Sequence, residues 1–551
     1  MINKEQLKKE LPQFRQTAQD FLDKKLSVVE FKGKSGGMGV YAEKGGQSFM
    51  IRLRTHGGIV SLPHMKKIYE YATKYKLDTI HITTRQAVQL HRLSLDGMMD
   101  IMEDAISHDL FTRGGGGNFP RNVAISPLAS VEKEEIFDVT KYALLVEEYL
   151  LTHMFEYHLP RKLKIAFSSS EKDLANAKIN DLGFIATKKD GKEYFKVYMA
   201  GGIGGNPKTA IAYPELISPE EVLIYVSAII HLFVKEGDYE NKNRARIRFI
   251  AERMGEEGFI SCYQSLIEEV RRTEKEELES FANEFYLTYV DRQENYGSVL
   301  KKEEIEDSVS LENVLEDTSY QEKLQNIVLE ETPYLIPQKQ LGRYTLLLHP
   351  VGGQMKVEDW AYVLNKMEAY GLNDVRISMD ETMYVRNLTA SQVIEIVKEK
   401  EYLCPKSKFA CSVSCIGAPI CQIGMQTSQQ MLMSCFESLK ENNICATYLP
   451  KIQISGCPNS CGRHQTASLG FSGTRKRVGD EVKNCFSVFV GGGVGEGVAK
   501  LGEEIGVVPM EHISQMIMEL ANKLNEVEKE FDVLLQEDKK SIVDIISNYT
   551  V

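Results

Sequence analysis

Long apolar runs are missing from this sequence, and so are long basic ones. No stretch approaches the roughly 20 apolar residues that a membrane-crossing helix needs. The polar opening MINKEQLKKELPQF lacks the apolar core of a secretion signal. A formal charge of -12 without any Lys/Arg block argues against nucleic acid as a partner, because neutralising phosphates demands a basic surface. The expectation is a cytoplasmic protein with no membrane span and no nucleic-acid partner. Tryptophan occurs once, and 43% hydrophobic with 26% charged residues is ordinary globular composition, not that of a disordered or fibrous chain. At 551 residues the chain exceeds what one core serves, and a prior of about 150 residues per domain gives roughly three to four units.

Cysteine is nearly absent before residue 404. Cys262 stands alone, and the other nine lie between Cys404 and Cys485. In a reducing compartment, thiols gathered in this way point to metal or redox chemistry before disulfides. Cys415 and Cys421 are spaced C-x5-C, and Cys457 and Cys461 are spaced C-x3-C. Iron-sulfur clusters take thiolates in fours, and two separated pairs can converge on one cluster. Structural zinc favours C-x2-C or C-x4-C knuckles, which this pairing lacks, so the spacing leans to iron-sulfur without excluding zinc. Cys411, four residues before Cys415, is a competing first ligand. Cys404, Cys435, Cys445 and Cys485 read as small buried hydrophobes.

An internal repeat runs through the chain. Residues 49–93 align without gaps on residues 344–388 at a shift of 295, with Gly57-Gly58 on Gly352-Gly353 and Leu93 on Leu388. Each copy reads as strand, Gly-Gly turn, helix, strand, tight turn, strand. Two further pairs follow in the same order. KLKIAF from Lys162 falls on KIQISG from Lys451 (shift 289), and VYMAGGIGG from Val197 falls on VFVGGGVGE from Val488 (shift 291). The expected fold is α+β, a pseudo-twofold duplicated molecule. The segments are 1–115 (N-terminal helix and first half-domain), 116–267 (first α/β domain), 268–334 (helical linker), 335–403 (second half-domain) and 404–551 (cysteine-bearing α/β domain).

The halves divide their chemistry. The first collects cations: Arg52 and Arg54, Arg85, Arg113 and Arg121, and Arg161, Lys162 and Lys164. Lys162 and Lys164 lie two apart on an extended segment and so share a face, which is costly unless they share an anion. The second half is thinner, with His349 for Arg54, Asp380 for Arg85, Lys451 for Lys162 and Gln453 for Lys164. An exposed polar strand face would account for any single pair. The glycine loops 201–205 and 491–497 have neither a Walker pattern nor the G-x-G-x-x-G register, and they read as turns.

CIGAPICQIGMQTS followed by ISGCPNSCGRHQTASLGFSG resembles the signature of the nitrite/sulfite reductase family, and the doubled half-domain extends that likeness over nearly the whole chain. The resemblance implies two ferredoxin-like half-domains plus two α/β domains holding sirohaem and a 4Fe-4S cluster. It implies Cys415, Cys421, Cys457 and Cys461 as cluster ligands, with Cys461 bridging to the sirohaem iron. Arg54, Arg121, Lys162 and Lys164 match the family's substrate cations, and the TTRQ-x-x-Q-x-H segment places Arg85, Gln89 and His91 against the sirohaem carboxylates. The lysine at position 164, where nitrite reductases often carry asparagine, tilts the expectation to reduction of sulfite to sulfide. The implied alternative is reduction of nitrite to ammonia. A reading of another class is a non-catalytic iron-sulfur or zinc-binding protein. With no flavin domain in view, the electron donor is expected to be a separate protein, such as ferredoxin or a flavoprotein subunit.

Overall fold

A computed structural model describes residues 2–296 and 332–551. The later part of the expected linker, 297–331, lies outside the described residues. Its earlier part is helical, in Glu256–Thr273 and Lys275–Tyr296. The chain forms two units. One comprises residues up to 202, 208–296 and 355–379, and the other comprises 203–207, 332–354 and 380–551.

In the first unit, strands Val40–Ala42, Phe49–Arg54, Ala87–Leu93 and Thr79–Ile82 lie side by side, and Met355 and Lys356 extend the sheet beyond Thr79–Ile82. Alternation along FMIRLR buries Ile51 and Leu53 and leaves Arg52 half-buried. Helix Leu62–Lys74 starts where the Ser61 hydroxyl accepts from the His64 amide, and it buries Met65, Ile68, Tyr71 and Ala72. Helix Val357–Tyr370 buries Trp360, Val363, Leu364 and Met367 and stops at Gly371, whose φ of +66° suits glycine. The short strand Ile59–Ser61 pairs antiparallel with Asp374–Ile377 of the other repeat. The sequence pattern does not disclose that exchange.

The repeat survives at the level of single pairings. Ile51 faces Leu90 and Leu53 faces Val88, while in the second unit Leu346 faces Val385 and Leu348 faces Met383. The register slips after Phe49 in one sheet and after Tyr344 in the other, positions 295 apart.

Each unit also holds a five-stranded mixed sheet of the same plan. In the first, Ala124–Ile125, Ile165–Ser168 and Leu182–Lys189 run parallel, then Lys192–Met199 and Ile211–Ile217 follow antiparallel. In the second the corresponding strands are Val413–Ser414, Ile452–Ser455, Leu469–Val478, Glu481–Val490 and Glu503–Pro509. Helices Thr140–Thr152, Val222–Glu236 and Glu256–Thr273 build the first core, and Ser428–Glu441 and Met510–Val527 the second.

This register corrects one expectation. Ile165 pairs with Leu182 of a Leu-Gly-Phe strand, and Ile452 pairs with Leu469 of a second Leu-Gly-Phe strand, so the shift here is 287. Lys451 therefore takes the place of Lys164, not of Lys162, and Gln453 that of Ala166. The expected match slid by two residues because a period-two pattern is satisfied equally well after such a slip. The match of Val197 on Val488 holds, since Met199 pairs with Leu182 as Val490 pairs with Leu469.

Candidate functional site

The second unit brings its two cysteine loops together at the ends of parallel strands. The Cys415 amide donates to the Ile454 carbonyl at 3.1 Å, which continues the Val413–Ser414 pairing and sets the first loop beside the second. Gly417 lets the chain turn back: its φ is +50°, and a Cβ there would lie 2.2 Å from the Ser428 hydroxyl. Gly462 is equally constrained, since a Cβ would sit 2.0 Å from the Ile454 carbonyl oxygen. The Gly456 amide points at Cys415 Sγ (3.2 Å), and the Asn459 side-chain amide at Cys457 Sγ (3.4 Å). Cys457 is buried, Cys415 and Cys421 are half-buried, and Cys461 is exposed.

Cys461 influences Cys415 and Cys457, and Cys421 influences Cys457, but among the described residues no three His, Cys, Asp or Glu side chains close on a metal-ion site. Burial raises the Cys415 thiol, and Cys461 adds to the rise. Burial likewise raises Cys457, with Cys461 and Cys421 contributing. Cys411 behaves differently. Burial pushes it up to about 11, and its charged neighbours are Lys451 and Asp380, none of the four. Asp380 holds Lys451 at 2.7 Å and also binds Arg463. Burial raises the Asp380 carboxyl, but these two cations pull it below the ordinary carboxylate range. The second half thus neutralises its own cations.

The first unit does so only in part, with Glu147 on Arg54 and Asp181 on Arg246. Arg54 is buried against Glu147 (2.9 Å) and the Pro120 carbonyl (2.9 Å), and its Nε has no partner. Among the described residues Arg121 donates to the carbonyls of Gly114, Gly116, Gly117 and Phe119. Burial pulls Arg121 down to about 9; Arg52, Arg54 and Arg85 deepen the shift and Tyr41 opposes it. Arg85 donates to Asn180 Oδ1 (3.0 Å) and the Ile165 carbonyl (3.0 Å), and its Nε is also without a partner. Lys162 and Lys164 are half-buried on either side of the fully buried Leu163. Burial drives the Lys164 ammonium well below its usual range, with Lys162, Arg85 and Arg246 adding to the effect against Asp181. Arg54, Arg85, Arg121, Lys162 and Lys164 therefore share one electrostatic field.

Gln89 and His91 take other places. The Gln89 amide oxygen accepts from Arg52 Nε and Nη2 at 2.9 and 2.6 Å. His91 Nδ1 lies 2.9 Å from Glu43 Oε1, while its Nε2 is buried without a partner. Sequence reasoning missed Arg246, which clasps Asp181 through Nε and Nη2, and Arg248 beside Gly202. The alternation in RARIRF was the available signal. Glu147 and Asp181, the carboxylates that organise the cations, carried none.

These features suit the groups that such residues could hold. Thiols that meet amide donors at sulfur fit an anionic iron-sulfur cluster, whose bridging sulfurs and thiolates need such donors. Buried guanidinium and imidazole nitrogens that meet no partner among the described residues fit a macrocycle rich in carboxylates. Among the described residues no helix is long and apolar enough to cross a membrane.

Residues 116–270 and again 380–528 match the family model described as the nitrite and sulphite reductase 4Fe-4S domain, and residues 41–107 match the nitrite/sulfite reductase ferredoxin-like half domain. A ferredoxin–nitrite reductase of Synechococcus elongatus is 26% identical over 83% of this chain and 82% of that one. The assimilatory ferredoxin-dependent nitrite reductase of Haloferax mediterranei is 23% identical over 83% of this chain and 76% of that one. The solved structure of the Mycobacterium tuberculosis NirA protein shares the fold, with a TM-score of 0.74 over 98% of this chain and 97% of that one at 18% identity. The doubled domain match reproduces the internal repeat, and the chain belongs to the nitrite and sulfite reductase family, enzymes that work with sirohaem and a 4Fe-4S cluster.

Proposed function

We propose that this protein reduces nitrite to ammonia with electrons from ferredoxin. The observation that carries this reading is the extent of its likeness to ferredoxin–nitrite reductases, which spans more than four fifths of both chains in the Synechococcus elongatus case. Relatives named in the same way occur in an archaeon and in plants. In this reading Cys415, Cys421, Cys457 and Cys461 hold the cluster, with Cys461 as the bridging thiolate. Arg85 and His91 attend the sirohaem carboxylates through nitrogens that meet no partner among the described residues, and Gln89 holds Arg52. Arg54, Arg121, Lys162 and Lys164 receive the anion.

When bound, sirohaem and the cluster would supply the metal centre and pass on the donor's electrons. The chain's own task is electrostatic. Arg121 has carbonyls but no carboxylate around its guanidinium, so an anion gains a charge-assisted hydrogen bond there without displacing a competing ion. Arg54 offers its Nε–H. Lys164, with its ammonium driven down by burial and neighbouring cations, gives up a proton more readily than an exposed lysine, which suits a reduction that carries oxygen away as water.

A second reading, reduction of sulfite to sulfide, is favoured by the lysine at 164, and both anions would meet the same cations. Parallel steady-state assays with nitrite and sulfite under one reductant separate the two. Nitrite is expected to give the larger kcat/KM, and a clear preference for sulfite would overturn the primary reading.

A further inference from the structure

At a shift of 295, Glu381 stands where the first half has Gln86. The backbones agree, with φ of +60° at Glu381 and +52° at Gln86. Both side chains are fully buried. Each also accepts from the amide of the corresponding two-residue strand: Ile125 N–H reaches Gln86 Oε1 at 3.1 Å, and Ser414 N–H reaches Glu381 Oε2 at 3.0 Å. Ser414 and Ile125 correspond because each pairs in parallel with the third residue of the next strand, Ile454 or Phe167.

The second terminal atom is where the halves part. Gln86 Nε2 donates to the carbonyls of Ile125 (2.8 Å) and Ile377 (2.9 Å). Glu381 Oε1 has no hydrogen-bond partner among the described residues. The corresponding place in the first half is a donor's place, facing backbone carbonyls. An ionised carboxylate would leave an unpaired negative oxygen buried there, among the costliest groups a fold can hold. A carboxylic acid would turn the same oxygen into an O–H donor and reproduce both arms of the glutamine amide.

We infer that Glu381 is carried in the folded protein as a neutral carboxylic acid and is a positioning residue: it grips Ser414 and thereby sets the strand that delivers Cys415. The second clause rests on Cys415 being a cluster ligand; the first does not. By the repeat, the acceptor of its O–H is the Ser414 carbonyl. The charged groups around it are few. Asp380 is its chain neighbour, and Arg463 and Lys451 neutralise Asp380. Burial raises the Glu381 carboxyl to about 8, against the pull of the Ser414 amide and Arg463 and with a push from Asp380.

Infrared difference spectra of the wild-type holoenzyme and Glu381→Gln test the first clause. The carbonyl stretch of a protonated carboxyl group is expected at neutral pH in the wild type and missing from the variant; a wild type without that band overturns the inference. Glu381→Gln should keep the iron content and visible spectrum of the wild type, and Glu381→Ala should lose iron or fail to fold. Loss of iron in Glu381→Gln equal to that in Glu381→Ala would also refute the positioning role. A group raised in the folded state stabilises most below its unfolded value of 4.5 and loses that contribution as pH rises through about 8. The Tm of Glu381→Gln should therefore gain on that of the wild type across this window, and a constant difference would count against the neutral acid. Cys415→Ser examines the ligand assignment separately: if it keeps its cluster, that assignment fails while the infrared result stands.

Discussion

The indole N–H of Trp360 donates to the backbone carbonyl of Met65 at 3.0 Å, and the two residues are mates in the internal repeat, 295 positions apart. Around them the Leu62 amide donates to the Asn373 carbonyl and the Val357 amide to the Asp78 carbonyl, and each of these bonds is the repeat image of the other. The duplication seen as text is thus also a seam of reciprocal bonds within the first unit.

Removing the indole donor takes one of two partners from the Met65 carbonyl, which also accepts within helix Leu62–Lys74. Trp360→Phe should cost about 0.5–1.5 kcal/mol, the net worth of one hydrogen bond. Urea titration followed by circular dichroism measures it, since the chain has no other tryptophan to report by fluorescence. A loss below a few tenths of a kcal/mol would show that the bond is dispensable.

Serine replacements should sort the cysteines. Cys457→Ser and Cys461→Ser are expected to drop iron content to background together with the visible spectrum. Cys411→Ser should keep its iron, because the neighbours of Cys411 are Lys451 and Asp380. Cys435→Ser, deep in the second core, should also keep it. Equal loss across the series would refute the ligand set.

Arg121→Ala and Lys164→Ala should each lower kcat/KM for the anion. A charge-assisted hydrogen bond worth about 1.5–3 kcal/mol corresponds to roughly ten- to a hundredfold. The effect should stand mainly in KM for Arg121, which binds, and extend to kcat for Lys164, which also holds a proton. Unchanged constants in both variants would remove these residues from the site.

Acid should weaken the second unit through His349. Its ring lies between the Thr382 hydroxyl (2.7 Å) and the Ser412 carbonyl (3.0 Å), and burial holds it down at about 4 against the pull of that carbonyl and of Asp380. A histidine depressed in the folded state contributes stability above its unfolded value of 6.5, and this is lost as pH falls toward 4, by up to about 3 kcal/mol. His349→Gln should flatten the decline between pH 6.5 and 4. An identical slope in the variant would assign the decline to other groups.

At Gly462 any side chain meets backbone. Gly462→Ala should cost more than about 3 kcal/mol, as the Cβ cannot share space with the Ile454 carbonyl without moving a central strand. A variant with wild-type Tm would mean that this strand end yields easily.

Much of this molecule could be read from the chain alone, and what escaped did so for definite reasons. Residues 49–93 and 344–388 announced themselves because apolar spacing survives where identity does not, and even the bulge after Phe49 recurs after Tyr344. The pairing of Lys162 with Lys451 failed because extended segments repeat every two residues and tolerate a slip of two. Glu147 and Asp181 stayed invisible because their partners Arg54 and Arg246 lie 93 and 65 residues away, and no local pattern encodes such a meeting. Glu381 was passed over for a related reason: a glutamate in a turn looks solvated until its burial is known.

The exchange of short strands has a consequence for synthesis. Ile59–Ser61 finds its partner only in Asp374–Ile377, so the first repeat cannot finish its pairing until the ribosome has added some 300 further residues. At about 5–20 residues per second that is a wait of about 15 s to a minute, with Ile59 and Val60 lying on an open edge. Neither repeat is therefore a module that can be cut out and kept. The edge formed by Ile59–Ser61 is closed only once the second repeat has been made.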